Sequence, residues 1–239
     1  MTERFRLTLT RDAALVRQAL GLRERVFATE MGSAPSVLAA DPFDAESDHI
    51  VITDRDSPSC GVVATARLAR GARYTSREFD LSRLMATGLP VAELGRTCVH
   101  PDYRGGAVGL MLFRGALAHL LREGVRYLTG TASFPGADTA RHLPALRALR
   151  GEALAPEAIR PRAFGPEAIA TTGPSERRAM RDVPGLIKTY LRAGAWVGEG
   201  AWVDREFNCV DVCVLLDLRN LETQNPQYGP KGQKKVDNV

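Results

Sequence analysis

The run Arg104-Gly105-Gly106-Ala107-Val108-Gly109 carries the sharpest chemical signal in the sequence. It sits between a strand pattern and a long apolar helix pattern. Glycines at such a turn let backbone N–H groups come close to a ligand. The following helix N-terminus adds about half a positive charge of dipole. Together they make a cradle for a pyrophosphate or a phosphodiester. No Gly-Lys-Ser/Thr follows, so this is not the Walker spacing, and it is not G-x-G-x-x-G either. Just upstream, Glu93-Leu94-Gly95-Arg96 places a carboxylate and a guanidinium three residues apart in a strand. On a regular strand these would point to opposite faces. A glycine inside a strand often marks a bulge, and a bulge at Gly95 is expected to bring both toward one cleft.

Other polar residues are candidates by type and position. Arg23 and Phe27 share one face of the first helix pattern, and Asp41, Asp44 and Asp48 lie in the loop beyond it. His49 opens a strand, Arg67 lies within the next one, and Ser133 precedes Phe134-Pro135-Gly136. Taken singly, each fits a structural role as well: a helix cap, a turn residue, a solvated face.

The elements that must hold these residues follow from periodicity. Alternation over residues 5–9 reads as a first strand. Asp12 is placed to cap a helix whose buried stripe is Leu15, Ala19, Leu22 and Val26, with Gly32 as its stop. A Ser-, Pro- and Ala-rich loop runs to about residue 40. Strands over 49–53 and 61–69 flank Asp56-Ser57-Pro58-Ser59 and form a hairpin. A strand over 91–99 leads into the glycine loop, a helix over 107–123 and a strand over 125–132. Residues 141–181 hold five prolines and many arginines, and are expected to form short helices and turns as an insertion at about 141–182. A short helix over 186–193 and strands over 196–202 and 207–218 complete one domain over 1–219. Residues 220–239 read as a polar, basic, disordered tail. The order is α/β with a mixed, mostly antiparallel sheet flanked by helices.

With 239 residues, 44% hydrophobic and 25% charged, the chain can bury a sizeable core without disulfide or metal staples. The four cysteines, Cys60, Cys98, Cys209 and Cys213, form no C-x-x-C pair, and no Cys/His set has zinc spacing, so reduced thiols and no metal are expected. No stretch of about 18 apolar residues is present, nor an apolar leader, which points to a cytoplasmic protein with peripheral membrane contact left open. The formal charge is +4, yet residues 141–192 alone carry ten Lys/Arg against five Asp/Glu. Such a surface suits an acidic partner: a carrier protein, anionic lipid or nucleic acid.

The strand, R-x-x-A-x-G loop and helix, preceded by a hairpin and followed by a strand, resemble the GNAT acyltransferase superfamily. The ordered set Arg23 with Phe27, Asp41 with Asp44, Asp48 with His49, Arg67, and Glu93 to Arg96 is similar to that of acyl carrier protein-dependent N-acyltransferases, including the acyl-homoserine-lactone synthases. A closer resemblance is to the ornithine lipid synthases of the ornithine N-acyltransferase type. It rests on Glu93-Leu-Gly-Arg-Thr-Cys-Val-His-Pro-Asp-Tyr-Arg, Ala132-Ser-Phe-Pro-Gly, Pro184-Gly-Leu-Ile-Lys-Thr-Tyr-Leu-Arg and Asp204-Arg-Glu-Phe-Asn-Cys-Val-Asp-Val, and spans residues 20–218. Residues 146–154 depart from it, with Arg and Gly where a His-rich segment is expected.

The resemblance implies a GNAT fold and attack of an α-amino group on a thioester. It implies a 3-hydroxyacyl carrier protein as donor, its phosphopantetheine held by Arg104, Gly105, Gly106, Ala107 and Gly109 with Ser133, and no other bound cofactor. A backbone N–H at Gly95 would stabilise the oxyanion, and Glu93 would be the base. Arg23, Arg67 or Arg96 would bind the carboxylate of L-ornithine, with Phe27 and His49 beside it, and Asp41, Asp44 or Asp48 its side-chain ammonium. An acyl-homoserine-lactone synthase, an N-acyltransferase for another amino acid such as glutamine, and a catalytically silent binding module remain alternatives. Nucleic acid is not an expected partner.

Overall fold

The computed structural model describes residues 4–32 and 41–224. The Ser/Pro/Ala loop over 33–40 and the tail from 225 onward lie outside the described residues. In chain order the strands are β1 (Phe5–Thr10), β2 (Asp48–Asp54), β3 (Val62–Arg70), β4 (Phe79–Asp80), β5 (Val91–Val99), β6 (Tyr127–Pro135), β7 (Arg162–Ala163), β8 (Ala168–Ile169), β9 (Trp196–Val197), β10 (Ala201–Asp204) and β11 (Cys209–Asp217). The helices are α1 (Ala13–Met31), α2 (Ser82–Met85), α3 (Ala107–Arg122), α4 (Thr139–Ala153), α5 (Gly185–Arg192) and α6 (Leu218–Gln224).

The main sheet runs β1-β2-β3-β5-β6-β11-β10-β8, with β9 added against β11. Every pairing in it is antiparallel except that of β5 with β6. The alternation along β2 shows how the helices cover it. Val51 faces the cluster of Ala19, Leu22 and Val26 from α1, whereas Ile50 and Ile52 join Val108, Leu112, Ala116 and Leu117 from α3. Successive strand residues point to opposite faces, so α1 and α3 lie on opposite sides of the sheet. Asp12 caps α1 by accepting from the N–H groups of Ala14 and Leu15, and Gly32 closes it at φ 63°.

The parallel pair is short. β5 and β6 pair at Val91–Tyr127, Ala92–Leu128 and Glu93–Thr129, and then part. β6 keeps its partner β11 as far as Pro135, and β5 stays with β3 as far as Val99. The sheet therefore splits into two arms, and the β5 edge from Leu94 onward is left without a strand beside it. Gly130 sits at the fork: a Cβ there would lie 2.3 Å from the Leu94 carbonyl oxygen. Only a residue without a side chain lets the backbones approach so closely.

Three expectations change. Residues 141–181 are not all short pieces, because α4 is a full helix of 15 residues. Asp138 caps it by accepting from Ala140 N–H. Pro144 lies within its second turn, and the burial of Ala145, Leu146, Ala148 and Leu149 outweighs the one backbone bond the proline removes. The single strand expected over 196–202 is two strands, broken at Gly198–Gly200 where the chain turns with Gly200 at φ 80°. The tail expected from residue 220 begins as helix, since α6 reaches Gln224 and buries Leu218 and Leu221 in the main core.

Candidate active site

The bulge that shapes the site falls one residue after Gly95. Gly95 pairs regularly with Arg67, and the next regular pair is Cys98 with Thr65. Arg96 and Thr97 thus face the single residue Ala66, and Arg96 takes the left-handed conformation at φ 54°. An arginine in that region costs on the order of 1–3 kcal/mol and persists only where surroundings hold it. Here they do. The guanidinium lies between two rings, 4.6 Å from the centroid of Tyr74 and 4.4 Å from that of Phe207. Its Nη2 donates to Asp41 at 2.8 Å. Its Nε, also buried, has no hydrogen-bond partner among the described residues.

Arg67 joins the neighbouring groups into one buried block. Its Nη1 lies 3.0 Å from Asp41 and 3.4 Å from Asp44, and its Nη2 lies 3.8 Å from Glu93. Arg23 donates to Asp44 at 2.7 Å. Burial alone would push the Asp41 carboxyl up, but bonds from Arg96 and from Phe43 N–H, with the charge of Arg67, hold it down to about 2. Asp44 likewise sits below the ordinary range, burial being outweighed by Arg23. His49 is buried, with Nε2 3.1 Å from the Asp44 carbonyl, and it braces the loop.

The structure thus brings together Arg23, Asp41, Asp44, His49, Arg67, Glu93 and Arg96. Asp48 is not among them; it pairs with Arg11 at 2.6 Å at the outer edge. Asp41 and Asp44 are committed to arginines, so neither is open to an ammonium ion. Glu93 is not on the wall of the cavity that Arg96 lines. Its Oε2 accepts from Thr75 N–H at 2.8 Å and its Oε1 faces Arg67. Both oxygens are thus turned to groups of the block.

Two cavities meet at the fork of the sheet. The first, about 760 Å³, is bounded by Gly105, Gly106 and Gly109 at the start of α3, by Leu110, Phe113 and Arg114 along it, and by Leu186, Thr189 and Arg192 of α5. The second, about 490 Å³, is bounded by Phe27, Tyr74, Gly95, Arg96, Ser133, Phe207, Cys209 and Asp211. Leu94, Thr97, Val99, Leu186 and Tyr190 line both. Tyr190 therefore stands at the junction, its hydroxyl paired with Thr97 and its pKa pushed up by burial to about 12.

The glycine loop leaves its backbone uncovered. Gly105 has φ 71°, and no atom lies within 4 Å of where a Cβ would stand on Gly105 or Gly106. Ala107 begins α3 on the exposed surface and is not among the residues lining the first cavity. Arg104 folds back to donate to the Val99 carbonyl at 2.9 and 3.0 Å, which pins the loop to β5. Ser133, expected with the donor, instead lines the second cavity and bonds to Asp211.

Sequence reasoning missed Tyr74, Asp211 and Tyr190 on the wall of that second cavity, and the buried Glu78 and Asp204, which are not among its lining residues. Tyr74, Glu78, Asp204, Asp211 and Tyr190 are scattered in the chain and match no short motif. Asp204 and Asp211 stood in a quoted segment but carried no periodic signal of their own. Burial pushes the Asp211 carboxyl up, as does Asp204 beside it. Glu78 is raised by burial and then by Asp211 and Asp204, and Asp204 is raised by burial. Ligand atoms of Asp204, Cys209 and Asp211 lie within 4.8 Å of one another. Burial and Asp211 raise the Cys209 thiol, so it stays protonated, and its Sγ donates to Asp211 at 3.3 Å.

Comparison with known proteins agrees with this geometry. Residues 22–114 match the acetyltransferase (GNAT) domain model. The chain is 40% identical to the L-ornithine N(alpha)-acyltransferase of Rhodobacter capsulatus, over 94% of each chain. The chain belongs to the L-ornithine N(alpha)-acyltransferase family. The protein of that name from Brucella abortus is 31% identical over 92% of this chain and 86% of its own length. Among solved structures the acyl-homoserine-lactone synthase LasI superposes with a TM-score of 0.52 at 14% identity, covering 98% of both chains, a likeness of fold. The forked sheet and glycine loop are thus those of a GNAT acyltransferase. Among the described residues no helix is long and apolar enough to cross a membrane.

Proposed function

We propose that the chain transfers a 3-hydroxyacyl group from the phosphopantetheine thioester of an acyl carrier protein to the α-amino group of L-ornithine, giving lyso-ornithine lipid. The observation that carries this reading is the pair of cavities meeting where β5 and β6 part. One is lined by glycines at a helix N-terminus, and the other by a buried, stacked arginine. The relatives' names supply the acceptor and the nitrogen acylated.

In this reading the phosphate of the donor arm sits at Gly105 and Gly106, and the pantetheine runs along α3 toward Tyr190. Arg114 and Arg192 at the same cavity would face the acidic carrier protein. The thioester carbonyl lies against the unpaired β5 edge around Gly95 and Arg96, whose N–H groups can take the developing oxyanion. The free Nε edge of Arg96 binds the acceptor carboxylate, a role that suits a planar guanidinium. The α-amino group, with a pKa nearer ~9 in a free amino acid than in a peptide, attacks as the neutral amine. The C–N bond forms, the C–S bond breaks, and the proton released from nitrogen passes to the Tyr190 oxygen as that hydroxyl gives up its own. Tyr190, protonated at neutral pH, is placed to give its proton to the departing thiolate.

The test is direct. Purified protein is incubated with 3-hydroxyacyl carrier protein or the matching coenzyme A thioester and a panel of amino acids, and amide products are weighed by mass spectrometry. N(α)-acyl ornithine from the carrier-protein donor is expected. No amide with any amino acid, from a folded sample, would sink the reading, and product from the coenzyme A thioester alone would replace the donor.

A further inference from the structure

The buried charges of the site divide into two groups that balance very differently. Arg23, Arg67 and Arg96 face Asp41, Asp44 and Glu93, three cations to three anions, all in contact through ion pairs. Across the cavity Glu78, Asp204 and Asp211 are 3%, 7% and 3% exposed, and none forms an ion pair among the described residues. Asp204 is engaged by Phe207 N–H at 2.7 Å and Asp211 by the Cys209 thiol. One oxygen of Glu78, Oε2, is buried without a hydrogen-bond partner among the described residues. The charges that act on it most strongly are those of Asp211 and Asp204. Buried carboxylates without a cation are costly, and one with an empty oxygen is costlier still. Such a group is stable when a cationic ligand completes it.

Asp211 and Arg96 line the same cavity, and carboxylate oxygens of Asp204 and Asp211 lie within 4.8 Å of one another. We propose that Glu78, Asp204 and Asp211 form the subsite for the side-chain ammonium of the acceptor, so that the cavity reads a diamino acid from both ends: carboxylate at Arg96, terminal cation at the acids. Tyr74 stacks on Arg96, and its phenol feels all three carboxyls, so it forms the wall between the two poles. This rests on the chain being an amino-acid N-acyltransferase. It deepens that reading by assigning the selectivity for a basic side chain to residues outside the Glu93 to Arg96 motif.

The experiment compares L-ornithine with L-norvaline, which matches its carbon skeleton but lacks the terminal amine. Steady-state kinetics are measured for the full chain and for the Asp211→Asn and Glu78→Gln variants. The parent is expected to prefer ornithine. Each variant should lower the ornithine-to-norvaline ratio of kcat/KM about 10-fold or more, chiefly through KM, as removal of one partner of a buried charge pair does. An unchanged ratio in folded variants overturns the subsite while leaving the acyltransferase reading intact. Equal loss of both acceptors also overturns it, since the acids would then serve the α-amino group or the fold. Failure of the parent to acylate any amino acid condemns the underlying reading instead. Activity abolished by EDTA and restored by zinc would make the group a metal site. Should both variants unfold, calorimetric titration of the parent decides, and equal affinity for ornithine and norvaline would refute the proposal.

Discussion

Glu93 shows how much a residue's role depends on its contacts. Its place before Gly95 and Arg96 suggested a base, yet both its oxygens are turned to Thr75 N–H and to Arg67. Glu93→Gln keeps an acceptor for that N–H and removes the charge facing Arg67. The expected result is a loss of about 1–3 kcal/mol in denaturant unfolding, with the pH dependence of kcat unchanged in form. A base would behave otherwise: its loss would lower kcat by about 10²-fold or more and erase the acidic limb of the profile. Arg96 is the opposite case. Its type and position were legible, but its left-handed backbone, its seat between Tyr74 and Phe207 and its buried, unpartnered Nε were not. Those come from Tyr74 and Phe207, residues 22 upstream and 111 downstream of it by their numbers.

At the scale of elements, the fork between β5 and β6 creates the site. Two parallel strands that stayed paired to their ends would close both the oxyanion edge and the junction of the cavities. Gly130 sets the start of the fork, since a Cβ would lie 2.3 Å from the Leu94 carbonyl oxygen and the obstacle is backbone. Gly130→Ala should destabilise the fold by about 1–3 kcal/mol, as overpacking of a closed site does, and lower turnover by shifting β5. Equilibrium urea unfolding checks the first and the amide-forming assay the second. A substitution tolerated at parental stability would mean that β5 can give way there. The strands themselves were legible from alternation, and the glycine loop from its residue types. The separation of β5 from β6 was not, because no local pattern records which neighbour a strand edge lacks.

Over the whole molecule the two charge groups pull stability in opposite directions with pH. Asp41, held down to about 2, and Asp44 contribute stability that is present above their unfolded pKa and lost as pH falls through the folded one. Glu78, Asp204 and Asp211 are raised by burial. A raised carboxyl favours the folded state when protonated, and that advantage is lost as pH rises from the unfolded value through the folded one. The ligand-free protein should therefore unfold at its highest temperature near pH ~5 and lose stability toward pH ~9. Scanning calorimetry across that range checks this. Saturating ornithine should recover more of the loss at the alkaline end than norvaline does. A midpoint that rises steadily to pH ~9 would contradict the electrostatic division of the site.

Sequence by itself determined the order of elements, the glycine loop before the central helix, the arginine-rich set that packs as one block, and a family resemblance that comparison upheld. These are recorded locally, in spacing, periodicity and turn chemistry. Only the tertiary structure decided which acids are neutralised and which are not. Asp41 and Asp44 were candidates to hold a cation and proved to be bound by arginines, while Glu78, Asp204 and Asp211 meet from three separate segments as a buried, unbalanced group. Charge type is a property of one residue, but charge balance belongs to a buried volume. That volume exists only once β4, β10 and β11 are brought to the same side of the fork.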